Sequence, residues 1–489
     1  MGEEVKARTF TREQRTLYRQ RLLENLDRFA RYLPTASFSD NARVGLELEL
    51  NLANQDFSPA LRNAAVLDEI ADPAFQTEMG AFNIELNHPA LYIAGPGLRE
   101  LEDSLRLQLN RADQRAAAAG ADILMVGIMP TLERSLVEGT DWLSSGQRYA
   151  ALNTSVLQAR GEDVLLDLTG VEGLSFYAKN IAPEAACTSV QLHLEVCPED
   201  FAPAWNAAQM IAAPQVALGA NSPIFMEHVL WHETRIELFK QAIDTRPPEM
   251  RNQGVRPRVW FGERWITSIF DLFEENVRYF PALLPELSEG STGLTTSGAP
   301  LLPELRLHNG TVYRWNRPIY DPGQEFPNLR LENRILPAGP TVLDVVANAA
   351  FYYGLIHRLR TADRPIWTRV AFKTAADNFL ACARKGLEAT VYWPGIGEIP
   401  VSELLVRHLI PAAAEGLRDL KVDSTLIDRY MGVAHERASR EQNGAAWQIE
   451  VLRQLEAGGL DRSGALREMT RRYWENMHTN RPVHEWSIN

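Results

Sequence analysis

The chain has 489 residues, 45% hydrophobic and 23% charged, with a formal net charge of −13 at pH 7. This is the composition of a globular protein, and an acid excess with no basic block excludes a general nucleic-acid binder. No apolar run approaches the roughly 20 residues that span a bilayer, and Cys187, Cys197 and Cys382 lack CxxC spacing, as packed free thiols in a reduced cytoplasm do.

The start, MGEEVKARTF, has no signal-peptide apolar run, and Lys6 spoils a myristoylation pattern at Gly2. Thr11 to Leu33 carries Leu17, Tyr18, Leu22, Leu23, Leu26 and Phe29 at helical spacing, which predicts an amphipathic helix covering a sheet. Val44 to Asn51 follows as a strand, Asp56 to Gln76 reads as irregular, and Gly95-Pro96-Gly97 punctuates the chain before a long helix predicted to run to about Ala119. ADILMVGIMP, Ala121 to Pro130, has the length and greasiness of a strand buried on both faces. Leu132 to Asn180 is less regular; its segment DWLSSGQRYAALN reads as a loop from which Arg148 can reach a phosphate or a carboxylate. A helix is predicted over Asp200 to Ala213, stopped by Pro214. Glu249 to Thr296 is rich in aromatic residues and closes on Gly290, Gly293 and Gly298, the pattern of a surface loop or insertion. LRLHNGTVYRW, Leu305 to Trp315, has Asn-Gly between two strand-like runs and predicts a hairpin. From Thr341 the period becomes helical and mostly stays so. The architecture this implies is α+β, with a catalytic domain over 1–398 and a helical C-terminal part over 399–489 packed on it.

Four segments share one design. At the strand period of two, Val44 to Asn51 sets Gly45, Glu47, Glu49 and Asn51 on one face and Val44, Leu46, Leu48 and Leu50 on the other. AFNIELN does the same with Asn83, Glu85 and Asn87, SVQLHLEV with Gln191, His193 and Glu195, and LRLENRIL with Arg330, Glu332 and Arg334. One such strand is commonly a solvated face. Four in one sheet would pool their polar faces into a wall of glutamates, whose repulsion calls for cations. Oxygen donors with a single imidazole suit Mg²⁺ or Mn²⁺ better than zinc, and Mg²⁺ is usually held by a few carboxylates together with substrate phosphates. Arg334, on the face of Glu332, can then neutralise charge on a transferred phosphoryl group. No GxxxxGK[ST] loop is present, so a bound ATP would not use a P-loop.

GLELELN, the pair Glu78 and Glu85 in TEMGAFNIE, SVQLHLEV, GANSP and LRLENR, taken together and in this order, resemble the glutamate–cysteine ligase family that includes the bacterial carboxylate-amine ligases. That family is similar to the wider glutamine synthetase superfamily. The resemblance implies a curved, mainly antiparallel sheet with a glutamate-lined face covered by helices. It implies a metal-binding set of Glu47, Glu49, Glu78, Glu85, His193 and Glu332, with Arg334 facing phosphate and Arg235 helping to bind substrate. The expected activity is an ATP-dependent joining of a carboxylate, the γ-carboxyl of glutamate, to an amine such as cysteine through an acyl phosphate, with Glu332 and Arg334 catalytic and Arg334, Arg148 and Arg235 contacting ATP or substrate. A metal-dependent phosphohydrolase, or a non-catalytic regulator that binds nucleotide or amino acid, would use the same wall. Partners are expected to be small molecules, without nucleic acid or membrane.

Overall fold

Strand pairing gathers all four polar-faced segments into one seven-stranded sheet. In the computed structural model, which describes residues 7–39, 42–288, 292–323 and 326–488, its strands are β1 (Val44–Ala53), β2 (Phe75–Thr77), β3 (Asn83–Leu91), β4 (Asp122–Leu124), β5 (Val190–Glu195), β6 (Asn316–Asp321) and β7 (Asn328–Asn333). The spatial order is β6-β7-β5-β1-β3-β2, with β4 paired to the end of β1, and every pairing is antiparallel. The segment MGEEVK and Gly290 lie outside the described residues.

Register puts the polar positions in rows across the sheet. Arg317 stands opposite Glu332, and Glu332 opposite His193; Gln191 stands opposite Glu47, and Glu47 opposite Asn87. Glu49 faces Glu85, which faces Gln76. The other face, with Leu46, Leu48, Leu50, Ile84, Leu86, Leu192 and Leu331, is buried. It is backed by α2 (Pro198–Gly219) and α3 (Val342–Arg360), and the Tyr353 hydroxyl of α3 donates to the carbonyls of Gly45 and His193.

The N-terminal helix α1 (Arg12–Tyr32) opens with a capping box, Thr11 Oγ1 accepting from the Gln14 N–H and Gln14 Oε1 from the Thr11 N–H. Its apolar stripe packs over the outer end of the sheet, where Phe29 meets Tyr320 of β6 and Phe273.

Several local expectations are corrected. Residues 63–70, within the stretch read as irregular, form the helix Asn63–Ile70. The stretch after Leu132 contains the helix Gln147–Arg160, so Arg148 sits in a helical first turn rather than a loop, followed by the hairpin Val164–Thr169 and Gly173–Ala178. Only Asp122–Leu124 of ADILMVGIMP is strand, although the whole run to Pro130 is nearly all buried. Pro214 does not stop α2, which runs on to Gly219; nearly every residue of the helix from Phe201 onward is buried, and that packing outweighs the roughly 3 kcal/mol cost of an interior proline. Glu249 to Thr296 is no plain loop, since it holds the helices Pro248–Asn252 and Ile269–Tyr279.

The Asn309-Gly310 pair is not a hairpin turn. Residues Pro303–Asn309 are helical and Gly310 has φ −65°, whereas a type I′ turn needs positive φ there. Tertiary partners override the alternation: His308 Nε2 bonds to the Asn276 carbonyl at 2.8 Å, and Asn309 Nδ2 donates to the Pro318 carbonyl at 2.8 Å. The following pair Tyr313–Arg314 lies parallel to Val259–Trp260, and the antiparallel hairpin is the next one, β6 with β7.

Beyond residue 399 the helices Ser424–Ser439, Gly444–Ala457 and Arg462–Thr479 pack onto α2, α3 and the loops around them. One tie is a fully buried ion pair, Arg437 to Asp344 of α3 at 2.6 Å, with Asp344 also accepting from Thr341 Oγ1 and the Val483 N–H. Arg437→Met would leave the Asp344 charge buried without its partner, a loss of about 3–5 kcal/mol. Urea unfolding should show a midpoint lowered accordingly, and an unchanged midpoint would remove this contact from the account.

Candidate active site

A cavity of about 300 Å³ opens on the polar face, and Glu47, Glu49, Glu78, Glu85, Arg148, His193, Arg235, Glu332 and Arg334 all border it. The alternation along β1, β3, β5 and β7 accounts for five of these; Glu78 comes from the turn after β2, Arg334 from the residue that follows β7, and Arg148 from the first turn of Gln147–Arg160.

Two carboxylates have cationic or imidazole partners. Glu332 receives a two-pronged contact from Arg317, 2.8–3.0 Å, and one from Arg334 at 2.6 Å. Burial works to raise its pKa, but Arg317 and then Arg334 hold it far below the usual carboxylate range. His193 Nε2 lies 3.1 Å from Glu47 Oε1; against the effect of burial, this imidazole keeps Glu47 down at about 2. Arg334 also donates to Gln191 Oε1, while Gln191 Nε2 donates to Glu49 at 2.8 Å and the Ser189 N–H donates to Glu49 at 2.6 Å.

Glu49, Glu78 and Glu85 are different. Each offers one oxygen such that the three atoms lie within 4.8 Å of one another. Burial and then mutual repulsion push Glu78 well up and Glu85 up to about 7, and burial raises Glu49 although Arg334 and Arg235 oppose it. Three anionic oxygens at this spacing fit one hard divalent cation, and an all-oxygen set selects Mg²⁺ or Mn²⁺ over zinc.

Arg235 borders the cavity with its guanidinium largely committed to the protein. Its Nε donates to Glu233 at 2.9 Å, and its terminal nitrogens donate to the carbonyls of Arg334 and Ile335. Glu233 in turn accepts from the Asn221 N–H at 2.9 Å, and the Asn221 side chain bonds to Gln448 Nε2 at 2.9 Å and the Tyr473 hydroxyl at 2.8 Å. A continuous buried chain of hydrogen bonds thus runs from the C-terminal helices through GANSP to the backbone of Arg334.

Sequence reasoning missed Arg317, Glu184, Tyr149 and Tyr313, all on the cavity wall. Arg317 had a signal, since NRPIYD alternates in burial along β6 and places Arg317, Ile319 and Asp321 on the cavity face. Glu184 had none, because it sits in the four-residue helix Ala182–Ala185.

Solved ligases share this fold. The chain matches glutamate–cysteine ligase from Francisella tularensis, solved in complex with AMP, at 12% identity and TM-score 0.55, covering 93% of this chain and 91% of that one. It matches a bifunctional glutathione synthetase from Pasteurella multocida at 12% identity and TM-score 0.52, where 95% of this chain spans 55% of the longer protein. The model of Glutamate-cysteine ligase family 2 (GCS2) matches residues 43–472, and the chain belongs to that family. It is therefore a ligase by family, and the match extends through most of the C-terminal helices. No curated protein matches the chain. Among the described residues no helix is long and apolar enough to cross a membrane.

The carboxylate trio generates a pH-dependent expectation. Glu85, Glu49 and Glu78 have folded-state pKa values above their ordinary value near 4.5. The contribution of Glu85 is present at low pH and is lost as pH rises through about 7, and those of Glu49 and Glu78 are lost in the same direction. A divalent cation needs the deprotonated forms and binds only the native cluster. Mg²⁺ or Mn²⁺ should therefore raise the melting temperature more at pH 8 than at pH 6. Equal melting curves with metal and with chelator at both pH values would contradict a cation site.

Proposed function

We propose that this protein is an ATP-dependent carboxylate-amine ligase that joins the γ-carboxyl of glutamate to an amine, the α-amino group of cysteine, through an acyl phosphate. The observation that carries this reading is the pairing, around one cavity, of the converging carboxylate trio with the cationic pair Arg317 and Arg334 on or beside the neighbouring strands. A metal-dependent phosphohydrolase could use the same groups, and family membership is what favours amide formation.

Glu49, Glu78 and Glu85, with Glu47, His193 and Glu332 on the adjoining rows, are the residues that would hold Mg²⁺ or Mn²⁺. When bound, these cations supply charge neutralisation and alignment for the phosphate oxygens of ATP. The chain's own work is positional. Arg334 is held through one terminal nitrogen by Glu332 and Gln191 and borders the cavity, where it can stabilise charge on the phosphoryl group in transfer. Glu332 keeps that arginine and Arg317 in place, and the charge of Glu332 together with that of Glu49 raises the pKa of Arg334 despite burial. Arg235 reaches substrate chiefly through its effect on the backbone of Arg334, and Arg148 is placed for a substrate phosphate or carboxylate.

A γ-carboxylate oxygen attacks the γ-phosphorus as the bond to ADP breaks. The amine nitrogen then attacks the acyl carbon, the carbon–oxygen bond to phosphate breaks, and the nitrogen loses a proton. This order is required because a carboxylate cannot expel oxide. The free thiols Cys187, Cys197 and Cys382 accord with a cytoplasmic setting.

Glutamate labelled with heavy oxygen in its γ-carboxyl should transfer one labelled oxygen to inorganic phosphate, with ADP as coproduct. Unlabelled phosphate beside the amide, or AMP in place of ADP, would sink the acyl-phosphate route.

A further inference from the structure

The acids that border the cavity are nearly all accounted for. Glu47 has His193; Glu49 has Ser189 and Gln191; Glu332 has Arg317 and Arg334; Asp321 has Arg330 at 3.1 Å; Glu78 and Glu85 complete the oxygen trio with Glu49. Glu184 is the exception. Its Oε2 is shielded from solvent yet has no hydrogen-bond partner, and it makes no ion pair among the described residues.

Its placement is fixed. The short helix Ala182–Ala185 is tied to Gln147–Arg160 by the Ile181 N–H, which donates to Asn153 Oδ1 at 3.0 Å, and is started by Asn180 Oδ1 accepting the Ala182 N–H at 2.9 Å. A carboxylate held in this way needs a positive charge from whatever enters the cavity, because an unpaired buried charge is costly. A divalent cation is the poorer candidate. The one group of three donors close enough to hold a metal, among the described residues, is the Glu49 trio, and Glu184 is not in it. A hard cation with a single protein ligand would be weakly held.

The surroundings of Glu184 suit an organic cation. Tyr149 and Tyr313 border the same cavity as Glu184 and Arg148, and the charges of Glu184 and Arg148 act on both phenols in opposite senses. An acid and a base so arranged complement a zwitterion. Resting on the ligase reading above, we propose that Glu184 anchors the ammonium group of an amino-acid substrate, with Arg148 serving that substrate's carboxylate. Burial, with the charge of Glu49 adding and Arg334 opposing, pushes Glu184 up to about 8, so an arriving ammonium supplies the positive charge the site lacks.

Both the carboxylate donor and the amine acceptor of this reaction can carry an ammonium group, and the test separates them. Glu184→Gln keeps shape and removes charge. In the full-length enzyme with Mg²⁺, the apparent KM for one of glutamate or the amine should rise at least tenfold in Glu184→Gln, with the KM for ATP within twofold of the parent. Whichever amino acid responds is the occupant. No change in either KM, or a parallel rise in all three, would overturn the assignment. Calorimetry without ATP provides a readout independent of turnover and of small stability losses. The parent should prefer glutamate to glutarate, or L-2-aminobutyrate to butyrate, by at least tenfold, and Glu184→Gln should lose that preference. A preference retained in Glu184→Gln, or absent from the parent for both pairs, contradicts the subsite. A parent enzyme that shows the preference yet makes no amide would instead refute the ligase reading and leave the subsite standing.

Discussion

The structure is governed by the repulsion among Glu49, Glu78 and Glu85, three carboxylates that each offer an oxygen within 4.8 Å of the other two. Their neighbours on the same wall have partners within the chain, Glu332 two arginines and Glu47 the His193 imidazole at 3.1 Å. The trio is the group of donors spaced to hold a cation, among the described residues. Holding it together has a cost in stability, as strained functional sites commonly do. The rest of the fold is arranged to bear that cost: β1 is paired on both edges, its apolar side is buried, and α3 is bonded to the sheet through Tyr353.

Rigidity behind the wall comes from buried polar contacts that cross long stretches of chain. The link from Tyr473 and Gln448 through Asn221, Glu233 and Arg235 reaches the carbonyls of Arg334 and Ile335, just past the strand that carries Glu332. Every member is nearly fully buried, so each hydrogen bond left unmade would carry a desolvation penalty of about 1–3 kcal/mol. The C-terminal helices are in this sense tied to the backbone of Arg334, and the family match runs through residue 472.

The sheet was legible because its signal is local. A period of two with glutamate, asparagine or histidine on one side survives in β1, β3, β5 and β7 whatever the partners are, and antiparallel register then brings those faces together. Side chains from outside the sheet were legible only through family resemblance, as for Glu78 and Arg235, or not at all, as for Glu184. Where local and tertiary preferences conflicted, the tertiary ones prevailed. Pro214 sits inside a helix buried all round, and Asn309-Gly310 ends a helix because Asn276 and Pro318 hold its last residues. Arg317 was overlooked for a related reason, since the hairpin was assigned to residues 305–315 instead of to β6 and β7.

The claim that the wall is built for cations is tested most directly by Glu85→Gln at pH 8, where Glu85 is ionised. The glutamine keeps an oxygen for the Asn87 amide, which donates to Glu85 Oε1 at 2.7 Å, and removes one charge from the trio. Glu85→Gln should melt at a higher temperature than the parent in chelator and should lose most of the stabilisation that Mg²⁺ gives the parent. A lower melting temperature in chelator, with the Mg²⁺ increment intact, would contradict the account.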